Sequence, residues 1–146
     1  GVSPKISRPY HCSELGRVLA EFHLASATFE LSRLNNLSVG AWRELLKSCG
    51  SLVNDLRPGF YDQLENEISI LEQEWPMALP SGIIHGDLFP DNVLFQGEHI
   101  TGIIDFYFSC NDSYTFDLAV CLNTCCFEPD NSFNIIRAQV FLDTPL

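Results

Sequence analysis

The chemistry that this sequence offers sits in one short run and one residue beyond it. His85-Gly86-Asp87-Leu88-Phe89-Pro90-Asp91-Asn92 places a carboxylate five positions before a carboxamide, and Asp105 follows within Ile103-Ile104-Asp105-Phe106. A carboxylate can take a proton from a hydroxyl group. A carboxylate together with an amide oxygen forms a hard, oxygen-only ligand set of the kind that Mg²⁺ accepts while keeping some of its waters. Each residue also has a structural reading on its own: Asp87 as a turn former after Gly86, Asn92 as the start of a strand, Asp105 as a cap where the chain leaves a sheet. Together they occupy a polar loop between wholly apolar runs, and loops held by a rigid scaffold are where binding and catalytic groups concentrate.

The elements that must position these residues are legible in the apolar pattern. Ile83-Ile84 leads into the loop, Val93-Leu94-Phe95 leaves it, and Ile100-Thr101-Gly102-Ile103-Ile104 follows a turn around Gln96-Gly97-Glu98-His99. The last two runs read as a β-hairpin. With a loop over residues 97–100, Leu94 opposes Ile103, Val93 opposes Ile104 and Asn92 opposes Asp105. Cross-strand partners lie about 4.5–5.5 Å apart, so the amide and the carboxylate would converge on one cation.

Around this segment the period is helical. Leu15, Val18, Leu19 and Phe22 face away from Glu14, Arg17 and Glu21, which predicts a helix over residues 13–27 with Cys12 or Ser13 at its cap. Trp42, Leu45, Leu46 and Cys49 predict a second over 41–53, and Leu64, Ile68 and Leu71 a third over 60–75, ended by Pro76. Helix resumes from Thr115 to before Pro129, and a last one is expected over 134–142. The fold class is therefore α+β, mainly helical, with a small β-hairpin carrying the polar loop.

Composition bounds the function. At 146 residues the chain has the length of one domain, and eight Lys and Arg against nineteen Asp and Glu give a net charge of -11. That field repels nucleic acid and anionic membranes. No apolar run approaches the roughly 18 residues that span a bilayer, and the N-terminal GVSPKISRPYH is too polar and proline-broken for a signal peptide, so a soluble, cytoplasmic protein is expected. The six cysteines form no C-x-x-C pair, and Cys121, Cys125 and Cys126 fall in an apolar stretch, where reduced cysteine behaves as a small hydrophobe rather than a zinc ligand.

The run HGDLFPDN resembles the His-x-Asp-x-x-x-x-Asn catalytic loop of the aminoglycoside phosphotransferase and choline kinase superfamily, and IIDF resembles its counterpart of the kinase Asp-Phe-Gly. The resemblance implies a protein-kinase-like C-terminal lobe. It also implies Asp87 as catalytic base toward a substrate hydroxyl and Asn92 and Asp105 as ligands of Mg²⁺ on the ATP phosphates. His85 would hold the loop in place, and Asp117, in the helix beginning FDLA, would brace it through hydrogen bonds. The wider text from Ile83 to Glu128, with LGRVLAEFHLAS and the helix bearing Trp42, is similar to the bacterial homoserine kinases of the phosphotransferase-like type. That similarity covers about the first nine-tenths of the chain. It implies phosphorylation of L-homoserine by ATP in threonine biosynthesis, with Asp112, in the loop after Asp105, as a contact for the substrate ammonium. Cys125 stands where that family has a bulky aromatic, and the tail RAQVFLDTPL departs from it.

A complete kinase also needs a phosphate-covering loop and a lysine for the phosphates. There is no G-x-G-x-x-G here, and the lysines are Lys5 and Lys47, neither in a recognisable strand. Residues 1–146 therefore read as a catalytic lobe whose nucleotide-binding lobe would precede Gly1 and whose C-terminal end is either unusual or truncated. Three alternatives stay open: a kinase of the same superfamily acting on an aminoglycoside, one acting on a choline-like alcohol or thioribose, or an inactive truncated lobe.

Overall fold

Helix α1 (Pro9–Ser26) begins a turn earlier than its apolar pattern predicts in the computed structural model, which describes residues 1–3 and 8–143. Pro9 occupies the first helical position, where its fixed φ suits the helix and its missing N–H is not needed. The Arg8 N–H donates to His11 Nδ1 at 3.1 Å and closes the helix entry. Cys12, expected at the cap, is instead in the core. Lys5 and the end of the tail, residues 144–146, lie outside the described residues.

The chain divides into two compact units, one formed by Gly1–Leu34 with Leu79–Leu146 and one by Asn35–Ala78. In the first, Cys12, Leu15 and Leu19 of α1 pack with Val93 and Phe95, with Cys121 and Cys125 of helix α4 (Tyr114–Cys125), and with Ala138 and Phe141 of helix α5 (Ile135–Leu142). Ser113 Oγ caps α4 by accepting from Thr115 N, and Asn134 caps α5 by accepting from Arg137 N. All six cysteines are free thiols. Burial pushes the Cys12 thiol up to about 12, as befits a side chain that packs as a hydrophobe.

Two antiparallel ladders carry the polar loop. Strand β1 (Ser81–Ile84) pairs with β4 (Cys110–Ser113), and β2 (Val93–Gln96) pairs with β3 (His99–Ile103). The hairpin is as expected, but its register differs from the predicted one. Gln96 faces His99 across a two-residue turn led by Gly97 at φ +65°, and a bulge between Leu94 and Phe95 pairs Val93 with Ile103. Asn92 therefore opposes Ile104, whose N–H donates to Asn92 O at 3.0 Å, and Asp105 lies one residue beyond. β4 was not expected from the pattern. Its Cys-Asn-Asp-Ser sequence has no apolar alternation and is extended because β1 pairs with it, Ile84 opposite Cys110 and Gly82 opposite Asp112.

In the second unit, α2 (Val39–Cys49) ends before the predicted residue 53 because Gly50, at φ +57°, breaks the helix into a 3₁₀ turn, Gly50–Asp55. Helix α3 (Phe60–Glu74) packs on it around Leu46, Val53 and Ile68. Trp42 and Trp75 meet edge to face, 5.4 Å between ring centres, and Arg43 pairs with Glu72 at 2.6 Å. Among the described residues, no helix is long and apolar enough to cross a membrane.

Candidate active site

The site is built outward from a buried carboxylate. The cap at Ser113 sets α4 so that Asp117 falls in its first turn, fully buried. A buried charge requires hydrogen-bond donors, and Asp117 has three: His85 N and His23 Nε2 on Oδ2, at 2.8 and 2.9 Å, and Gly86 N on Oδ1 at 2.8 Å. The backbone at the start of the loop is thereby held by a side chain from another element.

His85 continues the bracing. Its Nδ1 accepts from Asp87 N at 3.3 Å, which leaves the hydrogen on Nε2, donated to Ile104 O at 3.0 Å. One imidazole thus ties the Asp87 backbone to the strand that leads into Asp105. Gly86 between them has φ +78°, and a Cβ there would lie 2.9 Å from Phe108 O. Both the angle and the space demand glycine.

Asp87 and Asn92 are brought together directly. The Pro90–Asn92 segment forms a 3₁₀ turn, from which Asn92 Nδ2 donates to Asp87 O at 2.8 Å and reaches Asp87 Oδ2 at 3.2 Å. With its nitrogen engaged, Asn92 has Oδ1 as the atom for a cation. Asp105 is exposed and holds φ 63°, ψ 60°, a left-handed conformation that costs a non-glycine residue about 1–3 kcal/mol. Among the described residues, no ion pair engages its carboxylate.

The donor set fits Mg²⁺. Among the described residues, no three His, Cys, Asp or Glu gather as a metal cage. The oxygen ligands available are Asn92 and Asp105, which would leave most of the coordination sphere to water and phosphate, as Mg²⁺ prefers. Asp112 belongs to a different ladder from the one that follows Asn92. It lies in β4 opposite Gly82, not in a loop, and its Oδ1 accepts from Ser113 N at 2.7 Å.

His23 and Arg33 were passed over in the sequence. His23 follows Leu15 and Leu19 at four-residue steps, and a histidine on a buried stripe signals a buried partner. Arg33 has no such local signal. Its guanidinium donates to Tyr107 O, and its backbone exchanges with Asn111, Arg33 N to Asn111 Oδ1 at 2.9 Å and Asn111 N to Arg33 O at 2.7 Å.

Comparison with known proteins adds relatives. Residues 6–145 match the phosphotransferase enzyme family. The chain is 50% identical over 142 residues, 97% of its length, to a homoserine kinase of Parvibaculum lavamentivorans, and 49% identical over the same share to one of Xanthobacter autotrophicus. It spans 44% of the length of each. The crystal structure of an aminoglycoside-3'-phosphotransferase of type VIII shares the fold, with a TM-score of 0.73 at 23% identity over 97% of this chain and 54% of that one.

Proposed function

The chain belongs to the phosphotransferase enzyme family, and on that premise we propose that it forms the C-terminal catalytic lobe of an ATP-dependent homoserine kinase. The observation that carries the substrate is the identity of about half, over nearly the whole chain, to curated homoserine kinases. The reaction transfers the γ-phosphoryl group of ATP to the side-chain hydroxyl of L-homoserine, as threonine biosynthesis requires. We assign the nucleotide-binding lobe, with its phosphate-covering loop and lysine, to sequence outside these 146 residues.

The residues take roles that their geometry supports. Asp87 accepts the proton of the substrate hydroxyl, its carboxylate oriented by Asn92 Nδ2. Asn92 Oδ1 and the Asp105 carboxylate hold Mg²⁺, which, when bound, neutralises charge on the ATP phosphates. His85 and Asp117 do no chemistry on substrate. They hold the loop so that the base and the metal ligands keep one geometry, which is where positioning gives rate. An acidic chain suits this division, since its carboxylates bind metal and accept a proton while cation and nucleotide lobe supply the positive charge. A reducing, cytoplasmic setting suits the six free thiols.

The test is a substrate panel with the full-length protein, ATP and Mg²⁺, offering L-homoserine, an aminoglycoside, choline and a thioribose. Turnover of homoserine above the others is expected. Turnover of another alcohol without homoserine would overturn the substrate, and no turnover of any would overturn the enzyme.

A further inference from the structure

Asp105 is held in its strained backbone from two sides, and only one of them uses residues assigned above. On the upstream side, Ile104 donates to Asn92 O and accepts from His85 Nε2. On the downstream side lies the exposed 3₁₀ turn Phe106–Phe108, in which the Phe106 ring packs on His85 at 4.7 Å between ring centres and on Phe22 at 5.7 Å. The rest of that turn is fixed by Arg33. Its Nη1 donates to Tyr107 O and stands 3.5 Å from Ser109 O, and its guanidinium carbon lies 5.8 Å from the Tyr107 ring centre. The Arg33 backbone is itself fixed, exchanging hydrogen bonds with Asn111 beside a parallel bridge from Leu34 to Asn111. Ser109 closes the frame by donating Oγ to Ile84 O at 2.6 Å, at the end of the strand that enters the catalytic loop.

A left-handed non-glycine residue persists only where its surroundings over-determine it. The side chain of Arg33, 72 positions earlier in the chain than Asp105, meets that need. Its Nη1 stands near both carbonyls while the planar guanidinium lies over the Tyr107 ring, a face-on contact that a lysine ammonium does not reproduce. We infer that Arg33 is a positioning residue for the metal ligand Asp105: by pinning the carbonyls of Tyr107 and Ser109, it keeps the Asp105 carboxylate aimed at the cation that Asn92 shares. This inference rests on the kinase reading of Asp105.

The experiment uses the full-length protein and Mn²⁺ as a paramagnetic probe, titrated with ATP for binding, alongside the Mg²⁺ dependence of turnover. Arg33→Ala should weaken Mn²⁺-ATP binding about tenfold, as loss of a partner behind a metal ligand does. The Mg²⁺ needed for half-maximal rate should rise in parallel, with the homoserine KM unchanged. Arg33→Lys should restore a smaller part of the binding than of the thermal midpoint, because charge returns without the planar contact on the Tyr107 ring. Asp105→Asn is the reference. If it weakens Mn²⁺-ATP binding and Arg33→Ala does not, the inference is overturned while the metal reading stands. If Asp105→Asn leaves binding intact, the metal reading itself fails. A fall in thermal midpoint in Arg33→Ala with unchanged metal dependence would reduce Arg33 to a structural tie and overturn its positioning role.

Discussion

The stretch from β1 to β4 and the helical unit Asn35–Ala78 are stabilised by different physics. In the first, buried polar groups are satisfied by partners far away in sequence, as where Asp117, paired with His23, holds the His85-Gly86 backbone, and a non-glycine residue, Asp105, takes a left-handed conformation. In the second, a small apolar cluster of Leu46, Val53 and Ile68 is flanked by exposed ion pairs such as Arg43 with Glu72 and Lys47 with Glu44. The first arrangement is intolerant, because removing one partner strands another in a buried site. The second is forgiving, since exposed pairs gain little from water-screened attraction. Long-range polar satisfaction is therefore concentrated where chemistry is proposed, and the helical unit rests on its apolar cluster.

The largest expected effect falls on the reaction itself. Asp87→Asn in the full-length protein should lower kcat by about 10²–10⁴-fold with ATP affinity little changed, and near-normal turnover would remove Asp87 as the base. Next comes Asp117→Ala, which leaves the amides of His85 and Gly86 without their acceptor. It should destabilise the protein by roughly 3 kcal/mol in denaturant unfolding. A loss no greater than that of an exposed ion pair would erase the contrast between the two regions.

Glu14 tests the boundary between these regimes, because it joins a local pair to a distant strand. It binds Arg17 and also accepts from Ile100 N at 3.2 Å, and the Arg17 guanidinium draws its carboxyl down from 4.5 to about 2. A pKa lowered by folding contributes stability above the unfolded value. That contribution is complete above pH 4.5 and is lost as the pH falls toward 2. The gap in unfolding midpoint between wild type and Glu14→Gln should close over that window, and a gap independent of pH would show that the carboxylate charge is not what matters. The smallest change is expected for Arg43→Ala, whose effect on the thermal midpoint should fade further with added salt.

Much of this arrangement was legible in the sequence. Helical periodicity marked α1 to α5, short apolar runs marked β1 and the hairpin, and the spacing of His85, Asp87, Asn92 and Asp105 marked the loop. The misses share a cause. Cys110–Ser113 carries no strand pattern of its own, so β4 exists only through β1. The two-residue turn, half offset by the bulge at Leu94 and Phe95, moved Asn92 from Asp105 to Ile104, and a one-residue slip of that kind leaves no trace in an apolar pattern. Asp112, expected in a loop, became part of that unforeseen strand.

By itself the sequence determined which side chains could take a proton or bind a hard cation, because those properties belong to residue types and to spacings of a few positions. Tertiary structure alone decided how they are aimed. Asp117 finds His23 across 94 positions, and Arg33 finds Tyr107 across 74. The left-handed turn at Asp105 is flanked by neighbours, Ile104 and Phe106, whose own partners, His85 and Phe22, lie far away in the chain. Local chemistry can be written in adjacent residues, whereas the satisfaction of a buried charge or a strained backbone depends on whichever distant groups the packed chain delivers.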